Sequence, residues 1–255
     1  MPKFFVKSNQ INDNRVIITG EDVNHIKNVL RLNIDDNIII CNVDTAINYT
    51  CGISKISNEK IECIIFNNIE SNSESNIHIN IFQGLPKSDK MELIIQKSVE
   101  LGVCEITPVE MKRCVAKIDE KSKRKKLERW QKISEVAAKQ CGRDVIPKVN
   151  EITNIKNICN LIKEYDIVLL AYEKEENNTL KNVLQELKKE KGNNKLNIGI
   201  IIGPEGGLEE KEVEILKGSG AKVITLGKRI LRTETVAFTL SAIIMYELGI
   251  LGGNI

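Results

Sequence analysis

The chain has 255 residues, of which 42% are hydrophobic and 28% are charged, so it can bury the core of one large domain or two smaller ones. This composition excludes a disordered or collagen-like chain. Lysine and arginine number 37 against 35 aspartates and glutamates, a formal net charge of +2, so any nucleic-acid-binding surface must be local.

The seven cysteines form no C-x-x-C pair, and His25 and His78 are the only histidines. We therefore expect no zinc site built from cysteine and histidine. The most apolar long segment, 236–251, contains polar side chains and is shorter than the roughly 20 residues that a membrane helix needs. We predict no metal, no membrane span and no signal peptide, and a cytoplasmic location.

Residues 1–70 consist mainly of short β-type runs separated by Asn, Asp, Gly and Ser. The predicted strands are Phe4–Val6, Arg15–Thr19, Asn37–Cys41, Asn48–Ile56 and Lys60–Phe66. One short helix is expected over Val23–Leu30, capped by Glu21 or Asp22. This pattern predicts a small N-terminal β-barrel, and the polar residues 71–76 predict an interdomain linker.

From residue 77 onward, predicted strands alternate with predicted helices. The strands are Ile77–Phe82, Cys104–Val109, Ile167–Ala171, Ile198–Ile202 and Val223–Leu226. The helices are one from an Asp89–Glu92 capping box to Gly102, then Lys121–Gln140, Ile155–Lys163, Thr179–Lys191, Leu208–Lys217 and Thr233–Leu248. Strands that are apolar on both faces are typical of a parallel sheet covered by helices. The sequence therefore predicts an α/β domain over residues 77–255.

Positive charge is concentrated in residues 111–132, which contain ten lysines and arginines against three acids. Such a segment is either a solvated helix face or a surface that contacts phosphates, because clustered cations gain free energy from counterion release. Both interpretations are open. Lys123, Arg124 and Lys125 are the candidate phosphate contacts.

Two glycine-bearing loops each follow a predicted strand and precede a predicted helix. In the first, Gly203, Gly206 and Gly207 would let the backbone approach a ligand closely, although a tight turn would need the same residues. This loop is neither a dinucleotide fingerprint nor a P-loop. In the second, Leu226–Thr235, we expect Arg229, Arg232 and Glu234 to bring charge to the rim of a shared crevice, although Arg232 and Glu234 could instead form a mutual salt bridge.

These motifs, in this order, resemble those of the bacterial 16S ribosomal RNA (uracil-N3) methyltransferases, which belong to the SPOUT class of knotted methyltransferases. The resemblance extends over essentially the full chain. It is carried by Gly203–Gly207, Leu226–Thr235, Gln96–Val103, Ile106–Pro108, Arg113–Cys114, Trp130–Ile133, Gln140–Arg143 and His25–Arg31. One departure is Lys3, where the family usually has arginine; lysine keeps the charge but loses the planar fork.

The resemblance implies S-adenosylmethionine as methyl donor, a C-terminal SPOUT domain with a deep trefoil knot, and an N-terminal PUA-like RNA-binding barrel. It also implies a homodimer with Thr233–Leu248 at the interface. The implied cofactor-binding residues are Leu170, Ala171, Ile202, Gly203, Pro204, Glu205, Gly206, Gly207, Leu226, Gly227, Ile230 and Leu231. Together with the basic segment, the expected RNA-binding residues are Lys3, His25, Arg31, Lys123, Arg124, Lys125 and Arg143.

The chemistry of uracil N3 suggests catalytic roles. The N3 proton must leave before the nitrogen becomes a nucleophile, so the site must position the base and stabilise a developing anion. Arg232 is the first candidate for that stabilisation and Arg113 the second, while Glu234 could orient Arg232 or accept the proton. Because N3 lies on the Watson–Crick edge, the target base must be unpaired or flipped out.

The leading hypothesis is therefore methylation of N3 of a specific uridine in 16S rRNA, in the assembled or assembling small ribosomal subunit. One alternative is a knotted methyltransferase that modifies tRNA or a ribose 2′-hydroxyl. Another is a non-catalytic rRNA-binding assembly factor. Intact glycine loops favour an enzyme, since a protein that only binds RNA has no need of a donor pocket.

Overall fold

The computed structural model describes residues 1–70, 73–192 and 194–249. The chain divides into two compact units, one made of Met1–Glu74 with Ala138–Ile146 and the other of Ser75–Ala137 with the chain from Pro147 onward. Residues 71 and 72 of the predicted linker lie outside the described residues. The sequence pattern indicates one crossing between domains, whereas the chain crosses between the units three times.

The N-terminal unit is built on a six-stranded sheet with the order β1-β4-β5-β6-β3-β2. Its strands are β1 (Lys3–Val6), β2 (Ile11–Asn12), β3 (Arg15–Thr19), β4 (Asn37–Asn42), β5 (Ile47–Ile56) and β6 (Lys60–Ile69). The pairs are antiparallel except for β1 with β4. Along β3, buried Val16 and Ile18 alternate with exposed residues, which is the pattern of a sheet with one face on the core.

The helix predicted at Val23–Leu30 begins earlier than expected. Helix α1 (Glu21–Asn24) follows Gly20 and continues as a π-helical turn over His25–Val29. The N-cap residue is Gly20, and not Glu21 or Asp22 as predicted. The Asp22 carboxylate instead accepts hydrogen bonds from Lys139 Nζ at 2.9 and 3.0 Å. The predicted capping at this helix is therefore wrong, because Asp22 is engaged by a residue distant in sequence.

Buried polar contacts hold Ala138–Ile146 in the N-terminal unit. The Asp144 side chain is only 3% exposed. It accepts hydrogen bonds from the Lys3 ammonium, the Asn48 amide and the Ser73 hydroxyl. A buried carboxylate needs such partners to offset its lost hydration, so this contact set is part of the core of the unit.

The second unit has a seven-stranded parallel sheet with the order β10-β8-β7-β12-β11-β13, with β9 pairing with β8. The strands are β7 (Ile77–Gly84), β8 (Glu105–Glu110), β9 (Lys148–Val149), β10 (Thr153–Asn154), β11 (Ile167–Ala171), β12 (Leu196–Ile202) and β13 (Lys222–Ile224). The helices are α2 (Lys90–Glu100), α3 (Glu120–Cys141), α4 (Ile155–Leu161), α5 (Leu180–Lys191), α6 (Glu210–Gly218) and α7 (Thr233–Glu247). The predicted α/β class is confirmed, whereas the knot stays a prediction.

The capping box predicted at the start of α2 is not formed. Asp89 precedes the helix, but its backbone angles, φ −87° and ψ 10°, are not those of an extended cap residue, and its side chain makes no capping hydrogen bond. Glu92 instead forms an ion pair with Arg129 at 2.8 Å. Within the described residues, no helix combines the length and apolar character needed to cross a bilayer.

The carboxyl ends of neighbouring parallel strands bring several loops to one edge of the sheet. Strand β12 lies between β7 and β11, and β13 pairs with the other side of β11. The four strands end at Gly84, Ala171, Ile202 and Ile224. Crevices at such an edge are the usual ligand sites of open α/β sheets. The two glycine-bearing loops identified from the sequence both begin here.

Candidate active site

A cavity of about 1190 Å³ opens at this edge of the sheet. Three loops form most of its wall, and they follow β11, β12 and β13. Helices α2 and α7 also contribute residues to the wall, Lys90 and Val236 among them. A cavity of this size can hold a nucleoside-sized ligand.

The cavity brings together eleven of the twelve predicted cofactor-binding residues. These are Ala171, Ile202, Gly203, Pro204, Glu205, Gly206, Gly207, Leu226, Gly227, Ile230 and Leu231. Leu170 is the exception, because its side chain is fully buried in the hydrophobic core. Successive side chains of a strand point to opposite faces, so Leu170 packs in the core while Ala171 reaches the cavity.

Two tightly packed glycines, Gly203 and Gly207, line the cavity. Gly207 has φ +68°, and a Cβ there would lie 3.1 Å from Glu173 Oε1. A Cβ on Gly203 would lie 3.1 Å from the Gly207 carbonyl carbon, because the loop folds back on itself. Gly84, at the end of β7, has no room for a Cβ beneath Pro204. The packing of this loop therefore requires glycine at these positions, and Gly203 and Gly207 both line the cavity.

Gly206 is constrained from the other side of the loop. A Cβ on Gly206 would lie 3.0 Å from Arg113 Cβ and 3.2 Å from the Arg113 carbonyl oxygen. Arg113 also donates a hydrogen bond from Nη1 to the Gly206 carbonyl oxygen at 3.1 Å. Arg113 is not among the residues that line the cavity. The structure thus places it as a support for the glycine loop.

Arg232 and Glu234 do not form the mutual salt bridge that the sequence left open. Arg232 is the N-cap residue of α7, is exposed and lines the cavity. In the part of the chain that the structure describes, its guanidinium has no ion-pair partner. Glu234 turns instead to Lys90, whose Nζ lies 3.3 Å from Glu234 Oε2. Glu234 therefore does not orient Arg232.

Lys90 joins two carboxylates at the edge of the cavity, and sequence reasoning missed it. Its Nζ lies 3.2 Å from Glu205 Oε1 as well as 3.3 Å from Glu234. The hydrogen bond that Lys90 donates to Glu205 raises the pKa of Lys90; desolvation opposes this shift and Glu234 adds to it. Burial acts to raise the pKa of Glu205, but backbone N–H groups, including that of Lys87, and the Lys90 ammonium outweigh it and lower that pKa. Lys90 and Glu205 are thus both ionised near neutral pH.

Other cavity residues were also missed because sequence reasoning used only two of the three loops. The loop after β11 also starts at the carboxyl edge, and that position was the signal that could have identified it. The additional lining residues after β11 are Tyr172, Glu173, Glu175, Glu176, Asn177 and Thr179. Three carboxylates in one loop make this side of the cavity favourable for a cationic ligand.

Two predicted RNA contacts lie inside the N-terminal unit rather than on its surface. The Lys3 side chain is 9% exposed and pairs with Asp144. The Arg143 side chain is 5% exposed, and its Nη2 lies 2.6 Å from Glu74 Oε2. A buried cation that is paired with a carboxylate cannot reach a phosphate without losing that pair. Lys3 and Arg143 are therefore corrected to structural residues.

The remaining predicted RNA contacts are at accessible positions. His25 and Arg31 are exposed, and the His25 ring packs edge-on against Phe4 with centroids 6.1 Å apart. On α3, Lys125 is exposed, and Lys123 and Arg124 form ion pairs within the helix. Such exposed pairs are weak and can be exchanged for phosphate.

No group of three His, Cys, Asp or Glu side chains in the described ranges could hold a metal ion. Arg232, like Lys228 and Arg229 in the same loop, is exposed, lines the cavity and has no ion-pair partner among the described residues.

Comparison with known proteins identifies the family. The RNA methyltransferase domain profile matches residues 73–245, and the RNA methyltransferase PUA domain profile matches residues 18–66. The chain is 38% identical over 241 residues to the ribosomal RNA small subunit methyltransferase E of Bacillus subtilis, which covers 93% of this chain and 92% of the relative. It is 35% identical to that of Mesomycoplasma hyopneumoniae, over 94% of this chain and 97% of the relative.

A solved structure agrees with these matches. A ribosomal RNA small subunit methyltransferase E from Neisseria gonorrhoeae, bound to S-adenosyl methionine, has a TM-score of 0.86 and 29% identity, covering 98% of each chain. The family resemblance and the PUA-like N-terminal domain predicted from the sequence are thereby confirmed. The chain belongs to the RNA methyltransferase family, together with the ribosomal RNA small subunit methyltransferases E.

Proposed function

We propose that this protein methylates N3 of a specific uridine in 16S rRNA of the small ribosomal subunit, with S-adenosylmethionine as donor. The observation that carries the proposal is the glycine-lined cavity, with Arg232 unpaired among the described residues at its rim. The relatives named for small-subunit rRNA methylation support the choice of substrate.

The cavity fits the donor in shape and in charge. The backbone of Gly203–Gly207 and Leu226–Leu231 would hold the adenosyl group, because both segments line the cavity. Carboxylates after β11, Glu173 among them, suit a donor that carries a positive sulfonium. When bound, S-adenosylmethionine supplies an activated methyl group, so methyl transfer needs no metal.

Arg232 stabilises the uridine anion that develops when N3 loses its proton. A guanidinium keeps its charge at any physiological pH and offers several N–H donors in one plane. Because it has no carboxylate partner among the described residues, Arg232 can meet that anion without first breaking an ion pair. We assign Arg113 to supporting the Gly206 loop and Glu234 to Lys90.

RNA would be held through the exposed residues of the PUA-like unit and the basic helix. His25 and Arg31 would contact RNA from the N-terminal unit, and Lys123, Arg124 and Lys125 from α3. Such contacts would position the subunit, while the cavity receives one unpaired or flipped base. We place this reaction in the cytoplasm, where ribosomal subunits are assembled.

The protein would act as a homodimer through α7. Apolar residues lie all around this helix, and Ile243 and Tyr246 are exposed on it, at 36% and 65%. A helix that is apolar on all sides is normally buried, so its exposed face suits a second copy of the chain. Sedimentation of the purified protein would test this, since a monomer at micromolar concentration contradicts it.

The test of the proposed reaction uses purified protein, S-adenosylmethionine with an isotopically labelled methyl group, and small subunits that lack the modification. Nucleosides from the digested rRNA are then identified by mass spectrometry. We expect label in 3-methyluridine. Label in a 2′-O-methyl nucleoside or only in tRNA would favour the alternative substrates, and no transfer at all would favour a binding protein.

A further inference from the structure

We propose that Gln83, which does not line the cavity, is a positioning residue for the donor site. It acts through Thr233, whose hydroxyl group ties the start of α7 to the Gly203 loop. The inference rests on the proposed function in one respect: the ligand of the cavity is taken to be the adenosyl donor. No cavity-lining residue other than Thr233 and Gly203 enters it.

The three residues form a directed chain of hydrogen bonds. Gln83 lies one residue before the end of β7 and is fully buried. Its Nε2 donates to Thr233 Oγ1 at 2.8 Å and to the Gly84 carbonyl oxygen at 2.9 Å. Thr233 Oγ1 in turn donates to the Gly203 carbonyl oxygen at 2.7 Å. Gln83 on β7 is thus linked through Thr233, which follows the loop after β13, to Gly203 in the loop after β12.

The direction of this chain is fixed by its chemistry. A carbonyl oxygen can only accept, so the Gln83 amide must turn its NH₂ group toward Gly84. The same NH₂ group then donates to the Thr233 hydroxyl. With its lone pairs facing Gln83, the hydroxyl has its own hydrogen available for Gly203. Gln83 thereby determines which way the Thr233 hydroxyl points.

Stability alone does not account for glutamine at this position. Gln83 Oε1 is buried and has no hydrogen-bond partner among the described residues. A buried acceptor without a partner is unfavourable, and native structures contain few of them. The role of the Gln83 amide therefore lies in the hydrogen bonds that its NH₂ group donates. That group acts on Thr233, which lines the cavity.

These hydrogen bonds preorganise the part of the cavity wall that contains Gly203 and Thr233. Thr233 is the first residue of α7 and follows Arg232 directly, while Gly203 is the first residue after β12. Holding the two together fixes the backbone on which the donor would rest before it binds. Without the hydrogen bonds, binding has to order both loops itself, which lowers affinity.

Four single variants and one double variant test this role, with S-adenosylhomocysteine as the calorimetric probe. Thr233→Val and Gln83→Met remove the two links of the chain, and Thr233→Ser keeps the hydroxyl. Thr107→Val is the matched control. Thr107 is 5% exposed, as Thr233 is, and its hydroxyl also has two partners, Asn80 at 3.1 Å and Asn150 at 2.9 Å. Thr107 does not line the cavity.

We expect Thr233→Val and Gln83→Met each to weaken binding about tenfold, the scale of one lost hydrogen bond. The double variant should bind no more weakly than either single one, because both break the same chain. Thr233→Ser should bind nearly as the wild type, and Thr107→Val should lower Tm without changing affinity. If Gln83→Met does not fold, the near-isosteric Thr233→Val still tests whether the chain of hydrogen bonds contributes to affinity.

Three outcomes would contradict the inference. They are unchanged affinity of Thr233→Val, additive losses in the double variant, and an affinity loss in Thr107→Val equal to that in Thr233→Val. A wild-type protein that fails to bind S-adenosylhomocysteine contradicts the donor site itself. Wild-type binding with unaffected variants contradicts only the role of Gln83.

Discussion

The N-terminal unit and the cavity of the second unit treat the same kind of side chain in opposite ways. Lys3 and Arg143 are 9% and 5% exposed, and each is paired with a carboxylate. Arg232 is exposed at the cavity rim with no such partner among the described residues. Sequence alone assigned all three to function. Burial and ion pairing distinguish Lys3 and Arg143, which stabilise the fold, from Arg232, which is accessible to a ligand.

The difference has an energetic origin. A buried ion pair is kept only when both partners are present, since removing one leaves a charge without water or counter-charge. An exposed cation keeps its hydration and can exchange it for an anion at little cost. A substitution at Asp144 should therefore lower stability, whereas a substitution at Arg232 should lower catalytic activity.

The largest effect is expected from Asp144→Asn. The buried Lys3 ammonium would lose its carboxylate, which should cost about 3–5 kcal/mol of unfolding free energy. Urea unfolding of the purified variant measures this loss. Glu175→Gln is the control, a half-buried carboxylate that accepts hydrogen bonds from the backbone N–H groups of Asn177 and Asn178 and not from a buried cation. Equal stability of Asp144→Asn and wild type would break the contrast between the two regions.

Lowering the pH should remove the contribution of Asp144 to the free energy of unfolding. Burial acts to raise the pKa of this carboxyl, but hydrogen bonds from Lys3, Ser73 and Asn48 outweigh it, so the pKa lies below its ordinary value of 3.8. A lowered folded-state pKa stabilises the protein above the unfolded-state value and ceases to do so as the pH falls through the folded-state value. The stability difference between wild type and Asp144→Asn should therefore shrink below about pH 4.

Arg232→Ala should act on turnover instead. Negative charge develops at N3 mainly in the transition state, so kcat should fall by about 10²–10³-fold while donor affinity stays nearly unchanged. Raising the pH should recover part of the loss, because more uracil is then already deprotonated. Arg232→Lys should rescue only partly, since an ammonium lacks the planar fork. Single-turnover assays on small subunits provide the measurement.

Arg229→Ala is the matched control for Arg232, because Arg229 lies in the same loop, is exposed and lines the cavity. We expect it to keep turnover within a few-fold of wild type. If both variants lose the same activity, general positive charge at the rim is what matters. If Arg232→Ala loses only donor affinity, its role is in binding.

A smaller effect is expected from Gly207→Ala. A Cβ there meets Glu173 and requires an unfavourable positive φ, so the loop must shift and donor affinity should fall about tenfold. Gly218→Ala is the control, because Gly218 in α6 has no atom within 4 Å of an added Cβ and no positive φ. Equal affinities of the two variants would mean that this loop does not contact the donor.

The smallest effect concerns RNA. Replacing Lys123, Arg124 and Lys125 with Gln should make the slope of log affinity against log salt shallower, by about 0.7–0.9 per lost phosphate contact. Filter binding to rRNA fragments over a salt series gives the slope. Gln at Lys3 is not a suitable comparison, because that side chain is buried. An unchanged slope would show that this part of α3 is only a solvated face.

Local pattern was enough to predict most elements and both glycine loops. Strand β12 is apolar on both faces and runs into Gly203, which indicates a buried parallel strand with a loop at its carboxyl end. The alternation along β3 likewise indicates a one-sided sheet. Gly206 shows the limit, because the sequence points to it as a ligand contact but not to Arg113 as its neighbour.

The partners of charged residues could not be predicted from the sequence. Asp144 and Lys3 are 141 positions apart, and no local pattern connects them. Arg232 and Glu234 are two positions apart at the start of a helix, where residues i and i+2 do not face each other, so Glu234 meets Lys90 instead. The distinction between structural and functional cations depends on such long-range contacts.

The most direct measurement is nucleoside mass spectrometry of small-subunit rRNA from cells that lack this protein. We predict that 3-methyluridine disappears, that the wild-type gene restores it, and that Arg232→Ala does not. Unchanged 3-methyluridine in the deletion strain would contradict the proposed reaction, as would the loss of a tRNA or 2′-O-methyl nucleoside in its place.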